Sequence, residues 1–139
     1  MRNPEIFESP LGRVEVDRAT RIVRLVRSSN RIELDTIDGV VEDLRRAVPL
    51  RERPGLVLLQ DMRLGPLIRD EALEKKLAIA VPKLTAGFAA RAVLVASAVG
   101  VLQAGRFIRA AGGESRMFTD EAEAMGYLRA EVAKLPAGA

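Results

Sequence analysis

Cysteine, histidine and tryptophan are absent from the chain. Without cysteine there is no disulfide, no thiolate nucleophile and no zinc–thiolate centre. Without histidine the commonest general base and transition-metal ligand are gone. Neither a Ser-His nor a Cys-His nucleophile pair can form within the chain. Aromatic residues make up only 4% of the sequence, so a base-stacking surface is poorly supplied. Neither charge sign dominates: 22 basic residues face 19 acidic ones, for a net charge of +3. The pI near 9.8 reflects arginine, since Lys75, Lys76, Lys83 and Lys134 are the only lysines. Acids and bases interleave without a basic block, so nucleic acid is not an expected partner. The longest apolar run, Ala89 to Leu102, is broken by Arg91, Ser97 and Gly100 and is too short for a membrane span. The opening "MRNPEIFESPLG" has no apolar core of signal-peptide type. These absences predict a soluble cytoplasmic protein with no metal, no cofactor and no membrane insertion.

A hydrophobic content of 48% in 139 residues suits one folded domain over residues 1–139. Gly12 to Ala19 sets Val14 and Val16 between charges, a half-buried strand pattern. Thr20 to Ser28, rich in β-branched residues, predicts a second strand paired with it as an antiparallel hairpin. Asp35 to Pro49 predicts a helix, capped by Asp35 or Thr36, with Ile37, Val40, Val41, Leu44 and Val48 as its apolar stripe. Leu56 to Leu59 is a continuous apolar run, as in a strand covered on both faces. A helix is predicted from Asp70, kinked or interrupted at Pro82. Ala90 to Ser97 is another buried strand. Ser97 then caps a helix that runs to the Gly112-Gly113 pair. Ser115 to Phe118 is a short strand. Asp120 and Glu123 form a capping box for a last helix. The expected fold is α/β: a mixed sheet of about five strands opening with an antiparallel hairpin, its later strands parallel, with four helices.

Four stretches carry a family resemblance: "RIVRLVRSS", "LVLLQDMRLGP", "ARAVLVASAVGVLQAGRFIR" and "RMFTDEAEAMGYL". Together they resemble the STAS domain of sulphate-transporter tails and anti-sigma-factor antagonists. The likeness is strongest to the bacterial SpoIIAA-like branch, sometimes grouped with the lipid-binding Sec14 domains. The resemblance implies a regulatory or protein-interaction module, not an enzyme, expected to form a homodimer and to bind a partner protein of unknown identity. By the Sec14 analogy it also implies a carrier of a small apolar or lipid ligand. A hydrolase or transferase ranks last. In partner-switching STAS proteins a Ser or Thr follows the central strand, and its phosphorylation ejects the partner. The matching stretch here, Asp61 to Asp70, contains neither residue, so no phosphosite carries over.

Asp61, Arg63, Arg69 and Asp70 are the candidates for partner or ligand binding. They follow an apolar strand, where open α/β sheets bind ligands. The competing reading is an ion pair and a helix cap around a Gly65-Pro66 turn. Ser97 to Gly100 could hold a phosphate at a helix start, or Ser97 could simply be a cap. Val99, Leu102, Phe107 and Ile108 are more apolar surface than one helix stripe hides. They are interface candidates, or they line an apolar groove. The arginines of "RIVRLVR" read as edge-strand charge, with Arg24 facing away from Arg21 and Arg27.

Overall fold

A single sheet runs in chain order through β1 (Glu5–Ser9), β2 (Gly12–Asp17), β3 (Ile22–Arg27), β4 (Val57–Asp61), β5 (Ala90–Leu94) and β6 (Arg116–Phe118). The structure is a computed structural model that describes residues 4–66, 68–110 and 115–137, without the side chains of Phe107 and Ala110. β1, β2 and β3 pair antiparallel, and β3 to β6 pair parallel. The mixed α/β sheet expected from the sequence is therefore present, with six strands rather than about five. The extra one, β1, lies in the N-terminal segment. Its Ile6 and Phe7 stay exposed, so no burial pattern marks it in the sequence.

Helices α1 (Ile37–Ala47), α2 (Glu71–Thr85) and α3 (Ala98–Ala110) make the three parallel crossovers. Each crossover steps to the next strand in the same direction. With one handedness, all three helices must lie on the same face. α1 touches α2, and α2 touches α3. α4 (Glu121–Ala133) packs on β4, β5 and β6. Strand alternation separates two cores. Leu58 joins Val16, Val23, Leu44 and Val48 on the α1 side. Val57 and Leu59 join Ala92, Leu94, Ala124 and Leu128 on the α4 side. β4 is consequently buried along its whole length, which is why its sequence is a continuous apolar run.

Local differences from the sequence reading have physical causes. A 3-10 turn at Leu34–Thr36 precedes α1, and neither Asp35 nor Thr36 caps it. The Thr36 hydroxyl donates instead to the Glu33 carbonyl at 2.8 Å. α2 continues past Pro82 to Thr85. Asp70, Ser97 and Asp120 do cap: they accept from Ala72 N at 2.9 Å, Gly100 N at 3.1 Å and Glu123 N at 3.0 Å. β3 lies between β2 and β4, so its arginines guard no edge. The Gly112-Gly113 stop lies outside the described residues.

Arg53 follows α1 in the turn before β4 and is 1% exposed. Its Nε donates to the Val48 carbonyl at 3.0 Å. Its Nη1 donates to the carbonyls of Lys83, Leu84 and Ala86 at 3.3, 3.4 and 2.9 Å. The guanidinium carbon stands 5.0 Å from the centre of the Phe88 ring. One side chain thus satisfies carbonyls at the ends of two helices, where a cation is also favoured by both dipoles.

Candidate functional site

Asp61 is the last residue of β4, and alternation aims it at the α4 side. Arg63 grips it with two hydrogen bonds, Nε to Oδ1 at 3.0 Å and Nη2 to Oδ2 at 2.8 Å. The Arg63 backbone N–H also donates to Oδ1, at 3.2 Å. Arg63 Nη2 reaches on to Glu121 Oε1 at 2.9 Å, and Arg24 Nη2 donates to the same oxygen at 2.9 Å. Glu121 sits in the first turn of α4, where the helix dipole favours an acid. The network therefore ties β3, β4 and α4 together. Burial opposes charge on Asp61, but the bonds and charge of Arg63 outweigh it and hold the carboxyl below its usual range. Asp61 in turn raises the pKa of the Arg63 guanidinium. A carboxylate so held is a poor proton acceptor at neutral pH.

The sign of the resulting pH dependence follows from that shift. A depressed carboxyl pKa contributes stability above the unfolded value, near 4, and loses it as pH falls through the folded value. Asp61→Asn is expected to cost about 1–3 kcal/mol at pH 7, discounted because Arg63 is partly exposed. Urea unfolding at pH 7 and at about pH 2.5 checks this: the gap between wild type and variant should narrow in acid.

The other candidates do not join this pair. Asp70 is occupied by the first turn of α2. Arg69 is exposed. Val99 and Leu102 point outward from α3, 55% and 72% exposed. Ile108 faces inward, and the Phe107 side chain lies outside the described residues.

Ile108 belongs to a different feature, a pocket of about 150 Å³ between the sheet and the helix layer, partly open to the surface. Its floor is a row in register across four strands: Val14, Leu25, Gln60 and Val93. Its roof includes Leu77 and Val81 of α2 and Ala104 and Ile108 of α3. The small side chain at Ala104 leaves room that a larger residue would fill. Ile68, in the loop after β4, closes one side. The Gln103 side chain holds that loop to α3, accepting from Ile68 N at 3.1 Å and donating to Ile68 O at 2.7 Å. Arg27 and Arg13 line the cavity at the carboxyl end of β3 and the start of β2. The site thus lies near the carboxyl ends of the parallel strands, but on the face opposite Asp61. Gln60 is the polar residue that the sequence reading passed over. The signal was present, a glutamine ending an apolar strand run one position before the acid.

Among the described residues, no group of three or more His, Cys, Asp or Glu side chains is placed to hold a metal ion. No helix among them is long and apolar enough to cross a membrane. No family model, curated protein or solved structure matches the chain.

Proposed function

We propose that the chain is a non-catalytic binding module that takes a small apolar ligand between its sheet and the layer of α1, α2 and α3. The observation that carries this reading is the apolar cavity itself. The pocket is partly open, so its apolar walls stand against water that a ligand would displace. An apolar site of this size accommodates a molecule about as large as benzene. The alternative surface at Asp61 to Asp70 is less available, because Asp61, Arg63 and Asp70 already bond within the chain. A second reading, a partner protein or second copy docked on α3, draws on the outward Val99 and Leu102.

Saturation with benzene is expected to raise the melting temperature of the wild type by a few degrees, as any ligand selective for the native state does. Ala104→Leu, which fills the cavity, should melt no lower than wild type and should lose the benzene response. An unchanged wild-type melting temperature in benzene rejects the ligand reading. Native mass spectrometry of freshly purified protein reads both proposals at once: a small released adduct supports the first, a dimer the second.

A further inference from the structure

We infer that the ligand is a small monocarboxylate, its apolar body in the cavity and its carboxylate held by Arg27 and Gln60. This rests on the cavity being a ligand site, as proposed above. Two observations beyond the cavity's existence point to the head group.

The first is Gln60. It is 8% exposed, and the strand register places it between Leu25 and Val93 in an otherwise apolar row. Its amide carries two donor hydrogens and an acceptor oxygen. Among the described residues it makes no side-chain hydrogen bond. The amide is not sealed in the core: among the described residues Arg24 Nε is the one fully buried side-chain nitrogen or oxygen without a partner, and the Gln60 amide instead borders the open space of the pocket. A leucine here would complete the core. An amide is explained if something polar enters the cavity and meets it.

The second is the charge on the wall. Arg27 follows Leu25 by two residues on β3 and so lies on the same sheet face. Its Nη1 and Nη2 donate to the backbone carbonyls of Leu11 and Asn30. A guanidinium has five N–H donors, so these bonds leave capacity unused. Among the described residues no carboxylate lies within ion-pair distance of it. Burial pushes its pKa down, as expected for a cation without a counter-ion. Arg13, the other cation on the wall, is engaged by Glu15 at 2.9 Å. No acidic side chain lines the cavity among the described residues. The cavity is thus apolar inside, with an unpartnered amide on its floor and an unneutralised cation at its side. A carboxylate supplies acceptors for both, and charge-assisted bonds to an arginine fork are the stronger kind. The volume limits the apolar body to about six carbons, by comparison with benzene.

Titration calorimetry with hexanoate, 1-hexanol and benzene tests the assignment. Wild type is expected to bind hexanoate at least about tenfold more tightly than 1-hexanol, the effect of one charge-assisted hydrogen bond. Arg27→Met should abolish that preference, lowering hexanoate affinity more than 1-hexanol affinity. Arg27→Lys, which keeps the charge, should retain part of it. Gln60→Leu should weaken hexanoate more than benzene. If benzene and 1-hexanol bind but hexanoate has no advantage, or if Arg27→Met keeps the advantage, the carboxylate assignment is wrong and the apolar-ligand reading stands. If none of the three binds, the ligand reading itself fails.

Discussion

Arg53→Ala is expected to remove about 3–5 kcal/mol of stability, with the urea midpoint falling and the denaturant slope unchanged. The side chain is fully buried and bonds four backbone carbonyls, those of Val48, Lys83, Leu84 and Ala86. Alanine leaves these oxygens without a donor at the ends of two helices, and each orphaned group costs about 1–3 kcal/mol unless water reaches it. The loss of packing and of the Phe88 contact adds to this. Arg53→Lys should recover less than half. An ammonium is a compact donor and cannot span acceptors on separate segments as a planar fork does. A fall below about 1 kcal/mol for the alanine variant would mean that solvent replaces the guanidinium without difficulty.

Gly12→Ala should be nearly as damaging, at about 3 kcal/mol or more from backbone strain and overpacking together. Gly12 has φ +144, a conformation that a side chain resists, and a Cβ there would stand 1.9 Å from the Val26 carbonyl oxygen. The obstacle is backbone, so no rotamer change relieves it. The β1–β2 turn would have to pull away from β3. That turn also presents the Leu11 carbonyl, which accepts from Ser28 N at 2.9 Å and from Arg27. Hydrogen exchange gives a specific readout: the Ser28 amide should lose protection first, before the amides of β4. Retained Ser28 protection with a normal melting temperature would show that the turn accommodates the methyl group.

The parts of this fold that were legible in the sequence are those that depend on near neighbours in the chain. The caps at Asp70, Ser97 and Asp120 need only the N–H groups two or three residues ahead. The apolar run of β4 reflects burial on both faces. The alternation of Arg24 against Arg27 was equally local. It places Arg24 beside Glu121 and Arg27 on the cavity wall. What the sequence concealed depends on distant convergence. "ERPG" reads as an exposed turn, and nothing in it shows that the ends of two helices will surround its arginine. β1 pairs with β2 along its backbone while exposing Ile6 and Phe7, so side-chain patterning could not reveal it. The Asp61 candidate and the cavity share one strand end but lie on opposite faces of the sheet. Asp61 stood out because it is charged. Gln60, one position earlier, faces the opposite way and borders the cavity.

Strand order identical to chain order has a further consequence, for the way the molecule assembles. Every strand after the first adds beside its immediate predecessor, so no strand waits for a partner from later in the chain. Closure entropy rises slowly with loop length, and here each connection is a short turn or one α-helix with its flanking turns. A chain emerging from its N-terminus meets an edge already laid down to receive it. The cavity is walled late in that sequence. β3 and α1 precede it, α2 roofs one part, and α3 completes the enclosure when Gln103 engages Ile68. The pocket is thus among the last things the growing polypeptide finishes.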